Sequence, residues 1–174
     1  MSQSSENNPG PFQATLRGVK LLVLDVDGVL TDGRLFYGPK GEALKAFHVR
    51  DGHGIKQVAK AGITIAIISG RKSDAVARRA MELGIKHVLQ GVDDKLAALR
   101  KLASRQHLTL EDCACIGDDT PDAPIINACG LGVAVADAHP DALAAADLVT
   151  TRNGGQGAVR EVCDWLMAAR PAGR

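Results

Sequence analysis

The residues best suited to chemistry are two carboxylates, Asp25 and Asp27, which directly follow an apolar run. Residues 21–24 are continuously apolar, which is typical of a strand buried on both faces of a parallel sheet, and Gly28 interrupts the strand after the acids. Ligands bind at the carboxyl edge of such a sheet. Two buried carboxylates are costly there unless a cation compensates them. The pair therefore predicts a metal ion, and a metal beside a carboxylate indicates phosphate chemistry.

Further polar groups follow other predicted strands, and each lies where a strand should end. They are Ser69-Gly70-Arg71 after the apolar run 63–69, Lys95 at the start of a helix, and Asp118, Asp119 and Asp122 after the run 113–116. A parallel sheet brings the carboxyl ends of its strands to one edge. We therefore expect these acids, the hydroxyl, the Arg and the Lys to converge on the Asp25–Asp27 pair.

The elements that must position these groups alternate between strand and helix. Strands are predicted over 19–25, 63–69, 87–90, 113–116, 132–135 and 147–150, and helices over 73–83, 94–106, 121–129, 139–146 and 158–169. This alternation predicts an α/β fold, a three-layer Rossmann-like parallel sheet with helices on both faces. Residues 19–170 should form one domain. Residues 1–18 begin with a Ser-, Asn-, Gln- and Pro-rich stretch and are predicted to be a disordered tail.

Residues 33–48 break the alternation and predict a β-hairpin. Gly-Pro-Lys-Gly supplies the turn, and strand-forming residues flank it. An isolated hairpin is only marginally stable in water, and this one carries two of the three Phe residues and the single Tyr. The hairpin could fold back on its own sheet, but we favour a role in oligomerisation, at a subunit interface.

Composition excludes several classes of function. A net charge of +1 and an aromatic content of 3% give no reason to expect a nucleic-acid or membrane partner. No apolar run approaches the ~20 residues of a membrane span, and the first residues lack the pattern of a signal peptide. The four Cys residues fit buried thiols of a reducing cytoplasm. Cys113 and Cys115 as metal ligands remain a weaker alternative.

The ordered set of Asp-x-Asp, Ser, Lys and Gly-Asp-Asp resembles the haloacid dehalogenase superfamily of phosphotransferases. The gap between Asp27 and Ser69 is too short for the larger cap domain of many members. Several longer segments resemble one capless group, the 3-deoxy-D-manno-octulosonate 8-phosphate phosphatases. They are Asp-Val-Asp-Gly-Val-Leu-Thr-Asp-Gly (25–33), Phe-His-Val-Arg-Asp-Gly-His-Gly-Ile (47–55), Val-Ala-Asp-Ala-His-Pro (135–140) and Asn-Gly-Gly-Gln-Gly-Ala-Val-Arg-Glu (153–161).

The resemblance implies a role for each residue at the sheet edge. Asp25 would attack phosphorus and form an aspartyl-phosphate, and Asp27 would act as general acid and then as general base. Lys95 and Ser69 would hold the phosphoryl oxygens. The implied Mg²⁺ would be bound by Asp25, the Asp27 carbonyl and Asp118, with Asp119 and Asp122 in support.

The resemblance also implies a phosphorylated sugar-acid substrate and a homotetramer in which a neighbour covers each active site. The predicted substrate-binding residues are Thr31, Arg50, Gly70, Arg71 and Arg79, with the arginines as partners for the sugar carboxylate. Gln156 departs from the pattern, because many relatives carry Arg there. A phosphatase for a nine-carbon sugar acid 9-phosphate is the near alternative. A non-catalytic or phospho-accepting regulatory module is the distant one.

Overall fold

A six-stranded parallel sheet forms the centre of the computed structural model, which describes residues 9–170. The strands in chain order are β1 (Leu21–Leu24), β2 (Phe36–Gly38), β3 (Gly41–Leu44), β4 (Thr64–Ser69), β5 (His87–Gln90), β6 (Cys113–Gly117), β7 (Leu131–Ala134) and β8 (Leu148–Val149). The order across the main sheet is β5-β4-β1-β6-β7-β8. Strand β1 therefore lies inside the sheet, between β4 and β6, as its wholly apolar sequence predicts.

Seven α-helices connect and cover the strands in the described part of the chain. They are α1 (Gln13–Gly18), α2 (Val49–Lys60), α3 (Asp74–Leu83), α4 (Lys95–Arg105), α5 (Ala123–Ala128), α6 (Pro140–Ala145) and α7 (Ala158–Ala168). Helices α1 and α2 both contact α7, whereas α5 contacts α4 and α6. The three-layer α/β prediction is confirmed. None of the described helices is long and apolar enough to cross a membrane.

The register of the central strands aligns their carboxyl ends. Leu24 in β1 is paired with Ile67 in β4 and with Ile116 in β6, so the three strands end within two residues of one another. Every residue of β1 and β6 is buried. Because these strands are fixed on both sides and both faces, the residues that follow them are held at the same edge.

The hairpin is confirmed as β2 and β3, and it forms a separate two-stranded sheet. Its turn ends at Gly41, whose φ of 108° favours glycine. Apolar side chains of the hairpin stay exposed within the single chain: Leu35, Phe36, Tyr37 and Leu44 are 39, 41, 63 and 52% exposed. The hairpin therefore does not extend the main sheet, and its role in oligomerisation stays a prediction.

The predicted disordered tail is wrong for residues 10–18. A 3₁₀-helix, Gly10–Phe12, precedes α1. Leu16 is fully buried, and the Arg17 side chain donates a hydrogen bond to the Ala169 carbonyl at 3.1 Å. These contacts tie the segment to α7, which the polar composition of the first residues could not reveal. Residues 1–8 lie outside the described residues.

Candidate active site

The carboxyl ends of β1, β4 and β6 open into a cavity of about 320 Å³. Nine of the predicted site residues line it, namely Asp25, Asp27, Ser69, Gly70, Arg71, Lys95, Asp118, Asp119 and Asp122. The cavity lies where the sheet order places the ends of β1 and its two neighbours. The expected convergence of these residues is therefore present in the fold.

Three carboxylates and one ammonium group form the centre of this cavity. Oxygens of Asp25, Asp118 and Asp122 lie within 4.8 Å of one another. The Lys95 Nζ is 2.9 Å from Asp25 Oδ1 and also donates to Asp122 Oδ1. Lys95 is the first residue of α4, and the Asp94 side chain caps that helix by accepting from the Ala97 N–H at 2.9 Å. The cap fixes the start of α4 and therefore the position of Lys95 at the cavity.

The charges of this cluster are unbalanced, because one cation faces three acids. Burial and the neighbouring Asp122 raise the pKa of Asp25 to about 6. Burial and the nearby carboxylates, Asp25 first among them, raise the pKa of Asp118 to about 8. Burial also opposes the charge of Lys95, but Asp25 and Asp122 outweigh it and raise the pKa of the ammonium group. The site is thus short of positive charge when all its acids are ionised.

Asp122 and Asp119 line the cavity and also organise the loop that follows β6. Asp122 Oδ2 accepts from the backbone N–H groups of Asp118 and Asp119, at 3.1 and 3.3 Å. Its other oxygen is held by Lys95. Asp119 Oδ1 accepts from the Thr120 N–H at 2.7 Å and caps the short 3₁₀-helix that follows. Asp122 therefore holds the backbone of Asp118, while the predicted support of the metal by Asp119 and Asp122 stays a prediction.

The donor set fits a hard divalent cation. Asp25 and Asp118 offer carboxylate oxygens only, which suits Mg²⁺ or Ca²⁺ better than a soft metal. Gly28 allows the close approach of Asp118, because a Cβ on Gly28 would lie 1.9 Å from Asp118 Oδ2. The deficit of positive charge and the space kept by Gly28 both agree with a cation between Asp25 and Asp118.

The Gly-rich segment 153–157 supports the loop that follows β1. The Gly155 N–H donates to the Val29 carbonyl at 2.9 Å. A Cβ on Gly154 would lie only 1.6 Å from the Gly28 carbonyl oxygen, so the two backbones touch. Gln156 is exposed and does not line the cavity. The segment therefore acts here through its backbone, which explains its glycines.

The raised carboxyl pKa values predict a stability that depends on pH in the metal-free protein. The folded-state pKa values of about 8 and about 6 lie above the ordinary value of 3.8. The folded protein thus keeps protons that the unfolded chain releases, so the free energy of unfolding falls as the pH rises. Since one pKa unit equals about 1.4 kcal/mol, we expect a loss of at least about 2 kcal/mol between about pH 5 and pH 8. Urea titrations in EDTA would measure it.

Two controls separate this effect from other titrations. Asp118→Asn should flatten the pH dependence, because the amide carries no titrating proton. Saturating Mg²⁺ should also remove the loss, because a bound cation favours the ionised acids. A wild-type profile as flat as that of Asp118→Asn would contradict the prediction.

The hairpin contributes two residues that the sequence analysis missed. Lys45 Nζ donates to Asp27 Oδ1 and lies 3.1 Å from Glu42 Oε2. Arg71 Nε is 3.8 Å from Asp27 Oδ2, and an Arg71 Nη donates to the Tyr37 hydroxyl at 3.1 Å. No spacing signal marks Glu42 and Lys45, because three residues along a strand place side chains on opposite faces. Lys45 directly follows the last residue of β3 and reaches Asp27 from there.

Ser69 and Gly70 are held at the end of β4. Ser69 is buried, and its carbonyl accepts from the Val92 N–H at 3.1 Å. A Cβ on Gly70 would meet the Val92 carbonyl only at 3.7 Å, which is an ordinary contact. Both residues line the cavity with Arg71, as predicted.

Three predicted substrate-binding residues lie elsewhere in the single chain. The Thr31 hydroxyl accepts from the Gly28 and Gly33 N–H groups and donates to the Val26 carbonyl, so it shapes the loop instead. Arg79 lies 5.9 Å from the Phe47 ring centre and pairs with Glu82, because its helix carries it roughly 8 Å beyond the first residue of α3. Arg50 lines a separate cavity with Arg152, Arg160 and Trp165.

The four cysteines are all free and buried in the described structure. Cys113 and Cys115 belong to β6, inside the sheet, and burial raises the pKa of the Cys113 thiol to about 12. Neither lines the acidic cavity. The prediction of buried thiols is confirmed.

Comparison with known sequences agrees with this site. Residues 87–162 match the family of haloacid dehalogenase-like hydrolases. The chain is 49% identical over 165 residues to the 3-deoxy-D-manno-octulosonate 8-phosphate phosphatase KdsC of Escherichia coli K12, which covers 92% of this chain and 88% of that one. It is 50% identical over 152 residues to the KdsC of Salmonella typhimurium, with 87 and 81% covered.

Comparison with solved structures gives the same relatives. The 3-deoxy-D-manno-octulosonate 8-phosphate phosphatase of Moraxella catarrhalis, in complex with magnesium, phosphate and KDO, superposes with a TM-score of 0.91 at 43% identity, covering 94% of both chains. The cobalt-bound enzyme of Haemophilus influenzae gives a TM-score of 0.87 at 46% identity, covering 89% of this chain and 91% of that one. This chain belongs to the haloacid dehalogenase-like hydrolases and, within them, to the family of 3-deoxy-D-manno-octulosonate 8-phosphate phosphatases.

Proposed function

We propose that the protein is a Mg²⁺-dependent phosphatase that hydrolyses 3-deoxy-D-manno-octulosonate 8-phosphate to the free sugar acid and phosphate. This reaction would precede sugar activation in the synthesis of lipopolysaccharide precursors. The observation that carries the proposal is the Asp25–Asp118–Lys95 cluster at the end of β1. The 49% identity to enzymes of that name supports the choice of substrate.

In this proposal Asp25 attacks phosphorus. Lys95 holds its Oδ1 at 2.9 Å, which leaves the second oxygen to form the bond to phosphorus. The bond from phosphorus to the sugar O8 breaks as the aspartyl-phosphate forms, and Asp27 gives a proton to that oxygen. A water molecule then attacks the phosphorus, Asp27 takes its proton, and Asp25 leaves as a free carboxylate with inorganic phosphate released.

The other cavity residues bind the phosphoryl group. The buried ammonium of Lys95, the Ser69 hydroxyl and the Gly70 N–H can hold its oxygens. Asp25, Asp118 and the Asp27 carbonyl would hold Mg²⁺, which supplies charge neutralisation between carboxylate and phosphate. Without such compensation, each pair of unit charges at ~4 Å costs about 4 kcal/mol at an effective dielectric of ~20. Arg71, at the mouth of the cavity, is our candidate partner for the sugar carboxylate.

A substrate panel tests this function. Purified protein should hydrolyse the eight-carbon sugar acid 8-phosphate in the presence of Mg²⁺ and lose that activity in EDTA. The nine-carbon sugar acid 9-phosphate and a simple aryl phosphate serve as comparisons through kcat/KM. A larger kcat/KM for the nine-carbon substrate would replace the substrate assignment. Turnover no better than with the aryl phosphate would refute it.

The exposed apolar hairpin leads us to propose a homotetramer with active sites at the subunit interfaces. Leu35, Phe36, Tyr37 and Leu44 are partly exposed in the single chain, and burying them would supply apolar area for association. Arg50 and Arg79, which lie outside the cavity of their own chain, would then be available to a neighbouring site. We expect light scattering at micromolar concentration to give the mass of four chains. Phe36→Lys should yield smaller species, and a monomeric wild type would contradict the proposal.

We also place the protein in the cytoplasm. The support for this location is that all four cysteines are free although they are buried within one fold, as is usual in a reducing compartment.

A further inference from the structure

Lys45 is buried beside the proposed general acid although it comes from the hairpin. Its side chain is only 1% exposed, and its Nζ contacts Asp27 Oδ1 and Glu42 Oε2. Removing an ammonium group from water costs several kcal/mol unless good ionic partners compensate it. The two carboxylates provide that compensation. The contact therefore fixes the side chain of Lys45 firmly against Asp27.

Glu42, the second partner of Lys45, is itself held from outside the hairpin. Its Oε1 accepts a hydrogen bond from the Ser73 hydroxyl. Ser73 precedes α3, and its side chain makes no capping bond to that helix, so its hydroxyl is free for Glu42. The Ser73 N–H in turn donates to Gln90 Oε1 at 2.7 Å. A continuous chain of polar contacts thus runs from β5 through Ser73, Glu42 and Lys45 to Asp27.

The two cations that face Asp27 differ in freedom. Arg71 lies 3.8 Å from Asp27 Oδ2, but its side chain is 44% exposed and can move to a ligand. Lys45 is enclosed and cannot. Asp27 Oδ2 has no hydrogen-bond partner among the described residues. One carboxylate oxygen is therefore fixed by Lys45, and the other is the one that can carry the transferred proton once Arg71 moves.

We propose that Lys45, held by Glu42, is a positioning residue that orients Asp27 toward the leaving oxygen of the substrate. This inference rests on the proposed function, in which Asp27 is the general acid. Orientation of the acid matters when the leaving group is a sugar alkoxide, because that group needs a proton as its bond breaks. It matters little for a nitrophenolate, which leaves without one.

Kinetics with two leaving groups test the role of Lys45. We expect Lys45→Met to lower kcat/KM for the sugar-acid phosphate about 100-fold and for p-nitrophenyl phosphate less than about 3-fold. The ratio kcat/KM is the useful quantity because it reports only the steps up to the departure of the leaving group. It therefore excludes the later hydrolysis step, which both substrates share. Lys45→Arg, which keeps the charge, should recover part of the loss.

Two further variants test the ionic partner of Lys45 and provide a control. Glu42→Gln should show the same selective loss in weaker form, because Lys45 would lose one ionic partner. Lys40→Met, in the turn of the same hairpin, should change kcat/KM for neither substrate, because Lys40 is exposed and forms no ion pair with a described residue. Circular dichroism and thermal melts would show that each variant is folded.

Each outcome decides a different point. Equal losses for both substrates in folded Lys45→Met would mean that the lysine is structural, and this would overturn the inference. Unchanged kinetics for both substrates would overturn it as well. If the wild-type protein hydrolyses neither the sugar-acid phosphate nor p-nitrophenyl phosphate, the proposed function is rejected instead.

Discussion

Replacement of Asp25 by Asn should lower hydrolysis of the sugar-acid phosphate by about 10⁴-fold or more. The amide cannot form the bond to phosphorus that the carboxylate forms, and loss of a covalent nucleophile has effects of this order. Asn has nearly the same size as Asp, and Asp25 is buried between β4 and β6, so the fold should persist. Lys95 keeps Asp122 as an ionic partner.

Two measurements together identify Asp25 as the nucleophile. Steady-state turnover gives the size of the loss, and acid quenching with radiolabelled substrate tests for the phosphorylated protein. The wild type should retain label after quenching, and Asp25→Asn should not. Lys101→Met, at an exposed position of α4, is the control and should keep both the turnover and the label of the wild type. Label on Asp25→Asn, or activity above one hundredth of wild type, would refute the assignment.

Replacement of Lys95 by Met should reduce both activity and stability. Met fills a similar volume but leaves Asp25 and Asp122 without their ammonium partner. Removal of one partner from a buried ion pair costs about 3–5 kcal/mol. We expect the free energy of unfolding to fall by an amount near the lower limit, because one of the unpaired carboxylates can take up a proton. We expect kcat to fall at least about 100-fold, because a charge that stabilises the transferring phosphoryl group is lost.

Chemical denaturation and kinetics with Mg²⁺ would measure the two effects. Lys101→Met is a suitable control, because Lys101 lies on the same helix, is exposed and has no ion-pair partner among the described residues. It should change neither quantity by more than about 0.5 kcal/mol or twofold. A Lys95→Met protein as stable and as active as this control would show that the lysine lies outside the catalytic machinery.

The parts of the site that sequence could predict are those fixed by the parallel sheet. Asp25 and Asp118 follow continuously apolar strands, and such strands pair side by side with their ends aligned. Lys95 was predictable because a helix start near a strand end faces the same edge. In each of these cases the local pattern determines where the side chain points.

The orientation of the hairpin could not be predicted from the sequence. Its two strands were predictable from the turn residues, but its orientation over the sheet depends on contacts such as Ser73 with Glu42, which are distant in sequence. The position of Lys45 against Asp27 follows from that orientation alone. The contacts of Thr31 were unpredictable for a similar reason, because the partners of its hydroxyl are backbone groups that no residue pattern reveals.

The contact between Gly28 and Gly154 has a consequence for protein synthesis. The residues that carry the chemistry have all been synthesised once translation has passed Asp122, yet the loop after β1 still lacks the glycine segment that touches it. Domains form during translation from the amino terminus onward. A nascent chain that ends between residues 122 and 153 therefore carries every catalytic side chain without the backbone that supports their loop. Activity should therefore begin only after residues 153–157 have been synthesised and have packed against the loop that follows β1.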